Sequence, residues 1–368
     1  MGSKMSTHIP KVLFISTTSR IDDPYLDPSV RYRCFNFAED LRLLGGIADV
    51  VSTKKFEAEL IENYDHFIFH RPSNSDGKLP AILDSIERKH KSCHADYDDL
   101  IFAVNYALES SIYINGVKSK AETIEIFNKN FAAFNLFKSF TASTSPLAKI
   151  INTLSLNAKI NVVPNGLSQS LLSSLGINKE NRGAVKKIEL PKRVISYLSG
   201  TKSHDIDFSS IQDVLISFLS RHPNFCLLIA GHININEKRF SSDSILVREH
   251  MPFKEFFKSV KNAYINIAPL QPDNTFNECK SALKFFESGI WGVPTIATPI
   301  PDFTRFTDSP GLQLADKLSD WENNLEKLAD KDQYEHATEG LGEYCMKNCV
   351  SLKSTEILLK IIGERKQS

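Results

Sequence analysis

The stretch FNECKSALKFFESGIWGVPTIATPIPDF, residues 276–303, decides how the chain is read. On a helix starting near Cys279, the side chains of Leu283, Phe286 and Ile290 fall on one face. Lys280, Lys284 and Glu287, at i, i+4 and i+7, make a polar stripe on another. After Gly292 the apolar, β-branched run VPTIAT reads as a strand. A helix feeding a fully apolar strand is the repeating unit of a parallel sheet. Upstream, YINIAPL, the helical PFKEFFKSVKNA, SILVREH, NFCLLIAG, the helical DFSSIQDVLISFLSRHP and VISYLS carry the same alternation back to about residue 193.

The first half of the chain shows it too. Val12–Ser16 (VLFIS) reads as a buried strand, and Phe35, Ala38, Leu41 and Leu44 recur at helical spacing before Gly45-Gly46 stops the helix. Ala48–Ser52 and HFIFHRP are the next strands, LPAILDSIERKH is a helix, and DDLIF is a further strand candidate. SFTAST precedes the helix SPLAKIINTLS, with Ser145 as N-cap and Pro146 in its first turn, and KINVVPNG follows. The expected layout is a leader of expression residues or disordered chain at 1–8, an α/β domain at 9–170, a polar linker at 171–192, a second α/β domain at 193–340 and terminal helices at 341–368. The apolar set Ile357, Leu358, Ile361 and Ile362 predicts that the last helix packs back on the first domain. Two doubly wound domains in tandem predict a cleft with the carboxyl ends of both sheets facing it.

Composition excludes several classes. The 368 residues carry 44 basic and 44 acidic side chains, and residues 1–168 alone hold 19 of each, so neither half is the basic body of a nucleic-acid binder. A 42% hydrophobic content and a mean hydropathy of −0.21 are globular values. No apolar run has the roughly 20 residues of a membrane span and no signal-peptide stretch is present, so a cytoplasmic protein is expected. The six cysteines form no CxxC pair and read as buried thiols.

The polar stripe of residues 280–287 suits an anion. A helix N-terminus favours phosphate, Lys280 and Ser281 add a charge and a hydroxyl there, and Glu287 is placed to accept from a ribose diol. The same pattern also describes a plain solvated amphipathic helix. The segment resembles the donor-binding helix of GT-B glycosyltransferases, particularly the large retaining family of bacterial O-antigen and capsule synthesis. The match lies in Phe276-Asn277, Lys280-Ser281, Lys284 and Glu287, followed by Gly292-Val293-Pro294-Thr295-Ile296-Ala297. Where the widespread form has a first glutamate, this chain has Cys279 beside Glu278, so only Glu287 is carried over as a ribose ligand.

The resemblance continues in YLSGTKSHDIDF, residues 197–208, which is similar to the diphosphate loop opening the second domain of those enzymes. It implies that Gly200 gives close backbone approach, that Thr201 and Lys202 donate, and that His204, Asp205 and Asp207 lie near the sugar; Asp205 or Asp207 as a helix N-cap is the structural alternative. DPSVRYRCFNFAEDLRLLG and HADYDDLIF resemble the family's acceptor side, implying Arg31 and Arg33 as phosphate clamps, with two arginines on a solvated first turn as the alternative. In HADYDDLIF, Asp98 and Asp99 immediately precede a strand in this reading. VVPNGL is similar to the segment that closes the first domain and is equally a simple turn.

His90, Cys93 and His94 have metal-ligand types without a fourth partner, and the spaced Phe127, Phe131, Phe134, Phe137 and Phe140 read as core. Asp96-Tyr97-Asp98 is a DxD string of the kind that holds a divalent ion in the single-sheet GT-A fold, but the lysines can neutralise a diphosphate without metal. The resemblance implies an α/β GT-B transferase that uses a nucleotide-sugar substrate and no cofactor, with Asp205, Lys202 and Lys280 as catalytic candidates. Asn277, Ser281, Lys284 and Glu287 would bind the donor. The acceptor would be a glycan or lipid-linked glycan, reached in peripheral contact with the inner membrane face. A sugar-nucleotide 2-epimerase of the same fold and a non-catalytic glycan-assembly subunit are the rival readings.

Overall fold

The computed structural model describes residues 10–177, 191–199, 204–231, 233–248 and 252–363. Gly200, Thr201 and Lys202, and most of the expected linker at 178–190, lie outside the described residues. The chain forms two compact α/β units, each with one six-stranded parallel sheet. They do not follow chain order. Unit 1 gathers residues 1–104, 125–172 and 350–368, and unit 2 gathers 105–124 and 173–349.

In unit 1 the strands are β1 (Val12–Ser16), β2 (Ala48–Ser52), β3 (His66–His70), β4 (Ser92–Tyr97), β5 (Ser139–Ala142) and β6 (Lys159–Val162), ordered β2-β1-β3-β4-β5-β6. Strands β1, β3 and β5 are buried along their whole length, as expected of apolar runs covered on both faces. The expected DDLIF strand is corrected by the structure. The strand is the polar SCHADY of β4, and Asp98 and Asp99 follow it rather than precede it. A polar run can occupy a central strand because its buried side chains are paired: His94 Nδ1 lies 2.8 Å from His66 Nε2, and Asp96 binds Arg33. Of the aromatic residues expected as core, Phe127, Phe134, Phe137 and Phe140 are buried while Phe131 is half-buried, and only the first three of the five share a helix, Lys120–Phe134, while Phe140 lies in β5. Thr144, one residue before the expected Ser145, is the N-cap of the Ser145–Leu154 helix and accepts from Leu147 N at 3.4 Å.

The terminal helix Leu352–Gly363 completes unit 1. Leu358, Ile361 and Ile362 join Val12, Phe14, Phe37 and Leu41 in one core, while Ile357 is exposed, unlike its expected role. Buried Asp40 receives the hydroxyls of Ser351 and Thr355, the latter at 3.1 Å, and burial pushes its carboxyl above the ordinary value. Ser351 N donates to Leu167 O at 3.0 Å. A Cβ on Gly166 would stand 2.6 Å from Ser351 N, so this glycine of VVPNGL serves a close chain crossing rather than a positive-φ turn.

Unit 2 contains β7 (Arg193–Leu198), β8 (Phe225–Ala230), β9 (Ile245–Arg248), β10 (Ile265–Ala268), β11 (Thr295–Ala297) and β12 (Leu312–Leu314), ordered β12-β11-β10-β7-β8-β9. Its core joins Tyr197, Phe208, Leu215, Phe218, Ile267 and Trp321. Residues 105–124 belong here through Glu109, whose carboxylate accepts from Thr275 N at 2.7 Å, and Asn115, whose Oδ1 accepts from Ile206 N at 3.0 Å. All six cysteines are free thiols, four of them buried. Among the described residues no helix is long and apolar enough to cross a membrane.

Candidate functional site

In a doubly wound sheet the ligand crevice opens at the carboxyl ends of the two strands where the winding reverses. In unit 2 these strands are β7 and β10. Beside them lies a pocket lined by Leu198, Phe256, Val260, Asn266, Lys284 and Glu287. Of the polar stripe read from the sequence, Lys284 and Glu287 line this pocket and Lys280 does not.

The helix that carries the stripe is not the one expected. Instead of starting near Cys279, it is broken into Thr275–Glu278 and Leu283–Gly289. Asn274 caps the first piece, its Oδ1 accepting from Asn277 N at 2.9 Å, and Ala282 N turns away to Asp302 Oδ2 at 2.8 Å. Lys280 and Ser281 stand on the link between the pieces, not in a first helical turn. The second piece has seven residues and a correspondingly small dipole, and neither Lys280 nor Ser281 lies within it.

Lys280 Nζ sits 5.6 Å from the Phe276 ring centre and forms no ion pair among the described residues. Lys284 Nζ donates to Leu198 O at the end of β7. Burial pushes the Lys284 ammonium below its ordinary value, Glu287 works the other way and Lys280 reinforces the lowering. Asp207 adds to the opposing effect of Glu287. Glu287 is 9% exposed and shares the pocket. Cys279 is buried, so the place of the widespread first glutamate faces the interior, and Glu278 is exposed.

Asn266 is a part of the site that the sequence reading missed. Alone among the four residues of β10, INIA, it has a polar side chain. Its Nδ2 donates to Lys284 O at 3.1 Å and to Thr295 Oγ1 at 3.2 Å, and its Oδ1 accepts from Ser196 Oγ at 3.3 Å. It thereby pins the Lys284 backbone to the sheet. The visible signal was an amide in an otherwise apolar run, which can be tolerated only if fully bonded. Asn277, expected to bind the donor, is buried and holds Gln271 O at 3.1 Å, which makes its role here structural.

The loop after β7 retains His204, Asp205 and Asp207 within the described residues. Neither aspartate is an N-cap, because His204 occupies that position of the Asp205–Ser209 helix. Asp205 Oδ1 accepts from Asn234 N at 3.2 Å, and Asp207 accepts from Gln271 N at 2.9 Å while lying 2.8 Å from His204 Nδ1. Burial pushes the His204 ring below its ordinary value, Asp207 opposes this, and Lys280 adds to it.

In unit 1 the switch falls between β1 and β3, and a second polar cluster lies there. The reading of Arg31 and Arg33 as phosphate clamps, and equally as solvated, is corrected, since they are 2% and 1% exposed. Arg33 donates to Asp96 through Nε at 3.0 Å and Nη2 at 2.5 Å, and through Nη1 to Val163 O and Asn165 Oδ1. Arg31 donates to Tyr25 O at 3.1 Å. Burial opposes the charge on Asp96, but Arg33 and His70 hold its carboxyl well below the usual range. His70 Nδ1 is 3.0 Å from Asp96, and its Nε2 is 2.8 Å from Ser29 Oγ, which donates to Asp98 at 2.6 Å. Arg71, held at φ +47, completes the chain with bonds to Asp98 at 2.6 Å and Asp99 at 3.4 Å. Burial would raise the Asp98 carboxyl, but the Arg71 charge and the hydrogen bonds from Arg71 and Ser29 help hold it at about 2. Among the described residues no group of three or more side chains is arranged to hold a metal ion.

No protein-family model matches the chain, and no curated protein matches it in sequence. Solved structures do. A glycosyltransferase from Rickettsia africae superposes with a TM-score of 0.62 at 11% identity, over 98% of this chain and 100% of that one. HepE from Anabaena, solved in complex with UDP, gives 0.56 at 10% identity over 96% and 100%. A putative UDP-N-acetylglucosamine 2-epimerase from Listeria monocytogenes gives 0.55 at 9% identity over 97% and 98%. At such identities the likeness establishes the fold: two Rossmann-like α/β domains of the GT-B kind.

Proposed function

We propose that the chain is a glycosyltransferase that moves a sugar, with retention, from a nucleoside diphosphate to a growing bacterial surface glycan. The observation that carries this reading is that Lys284 and Glu287 line a pocket with Leu198 at the end of β7 and Asn266 of β10 in unit 2, with Lys280 near enough to lower the Lys284 ammonium. Neighbours of the same fold are described with UDP and UDP-glucose bound. Lys280 and Lys284 would neutralise the diphosphate as the anomeric bond loosens, so the catalytic contribution is electrostatic stabilisation of the leaving group. Lys202 would join them. Glu287 would accept from the ribose diol. Asp205 is the candidate carboxylate nucleophile. The acceptor would meet Asp98 and Asp99 on unit 1, with Arg71 added to them, and a lipid-linked acceptor would bring the protein to the inner face of a membrane. The lysines make a metal unnecessary in this scheme, so transfer is expected to survive EDTA.

A second reading, 2-epimerisation of the sugar nucleotide, is favoured by the Listeria neighbour, whose TM-score equals that of HepE within 0.01. One experiment separates the two. A thermal-shift screen of UDP-, GDP- and dTDP-sugars selects the donor, which is then incubated with the protein alone. Interconversion without an acceptor identifies an epimerase, whereas an unchanged donor that turns over only with a glycan acceptor supports transfer. Failure of every nucleotide to bind in calorimetry favours a non-catalytic subunit.

A further inference from the structure

We infer that Asp302 is a positioning residue, which sets where Lys280 and Ser281 stand by breaking the helix that would otherwise carry them; the inference rests on the proposed nucleotide site. From Thr275 to Ser288, TFNECKSALKFFES contains no proline and no glycine, and nothing in its composition stops a helix at Glu278. In a continuous helix the Ala282 N–H would bond to the Glu278 carbonyl four residues back. It bonds instead to Asp302 Oδ2 at 2.8 Å, and Ala282 takes ψ +29, outside helical values.

Asp302 is built for this task. It lies in the Pro301–Phe306 turn that follows β11, it is 6% exposed, and both its oxygens are fixed by Arg305, Nε to Oδ1 at 2.8 Å and Nη2 to Oδ2 at 2.9 Å. The Arg305 guanidinium orients the carboxylate, and the carboxylate takes the amide that a helix would have used. The link at 279–282 therefore has two available hydrogen-bonding schemes, and Asp302 selects one. Without it, winding the link into helix would shorten it toward about 1.5 Å per residue and swing Lys280 away from its present relation to Lys284. Asp302 touches no substrate in this scheme. It acts through the backbone of the link.

The test uses Asp302→Ala, Asp302→Asn, Lys280→Ala and the Asp302→Ala/Lys280→Ala double variant in the full chain, with calorimetric affinity for UDP, GDP and dTDP, kcat and KM, and melting temperature. Both Asp302 variants lose the charge pair with Arg305, so both should melt lower by similar amounts. Only Asp302→Ala removes the acceptor for the Ala282 amide. The expected result is a tenfold or larger weakening of the preferred nucleotide in Asp302→Ala, near recovery in Asp302→Asn, and no further loss when Lys280→Ala is added. The change should appear in KM for the donor more than in KM for the acceptor. A folded Asp302→Ala that binds the nucleotide like wild type, or a double variant whose losses multiply, overturns the inference while leaving the nucleotide site standing. A wild-type protein that binds none of the three nucleotides overturns the functional reading, and the positioning role falls with it.

Discussion

The two units wind their sheets around a switch point in the same manner, yet they furnish it in opposite ways. In unit 1 the charges at the β1–β3 switch satisfy one another: Arg33 with Asp96, Arg71 with Asp98 and Asp99, and His70 between Asp96 and Ser29. In unit 2 the β7–β10 switch holds Lys280 without an ion pair among the described residues, beside a Lys284 whose charge is depressed by burial. Paired charges in a dry interior hold structure together, and their removal exposes an uncompensated partner. Neighbouring like charges next to a pocket store affinity for an ion of the other sign. Similar folds and similar residue types thus give mutually paired charges at one switch and neighbouring like charges at the other.

The largest expected effect tests unit 1. Deleting the chain after Ser351 removes Leu358, Ile361 and Ile362 from the unit 1 core and leaves Asp40 without Thr355, and the cooperative unfolding of unit 1 should be lost in calorimetry while that of unit 2 remains. A truncated protein with unchanged melting temperature and turnover would show the helix to be dispensable. Next, Arg33→Ala should cost about 3 to 5 kcal/mol in denaturant unfolding, because it strands Asp96 in the interior. Lys280→Ala should leave stability within about 0.5 kcal/mol of wild type. It should nevertheless lower donor kcat/KM by about 2 to 4 kcal/mol, one and a half to three decades. Reversal of these two profiles would erase the distinction between the units.

Acid titration sharpens the comparison. Asp98 is held at about 2, below the roughly 3.9 of an unfolded aspartate, so its contribution to stability is complete above about pH 4 and drains as pH falls toward 2. His204 is lowered as well, and for a histidine that sign means stability present above an unfolded value of about 6.5 and lost as pH falls below it. Melting curves from pH 7 to pH 2 should therefore show two separate losses, and Asp98→Asn should flatten only the acid one. The smallest effect is expected of Glu287→Gln, a loss of about tenfold in nucleotide affinity with little change in fold, measured by calorimetry.

The alternation of strands and helices was readable because strands covered on both faces must be apolar, as in VLFIS and NFCLLIAG. It failed at β4, where SCHADY looks like a loop until His66 and Arg33 arrive from distant positions to pair with His94 and Asp96. Arg33 was misread for the same reason: nothing near it in sequence announces a carboxylate 63 residues away. That Lys284 and Glu287 share a helix and a pocket was legible because their spacing is local. The break between Lys280 and Lys284 was not, since it depends on Asp302, which lies 20 residues beyond Ala282. Local periodicity encodes which residues share a face, and long-range polar pairing then decides which of them remain available.

The return of the last helix to unit 1 has a consequence for synthesis. Although its sheet is finished by Val162, unit 1 lacks Leu358, Ile361 and Ile362 until about 200 further residues have been synthesised. At 5 to 20 residues per second that delay is on the order of 10 to 40 seconds. During it, the groove on Phe37 and Leu41 that the terminal helix will fill has no native occupant, while unit 2, whose residues end at Cys349, already has its full complement. The usual order, in which the amino-terminal domain folds first, is thereby inverted, and a nascent chain stalled before Ser351 would hold a finished second unit and an open first one.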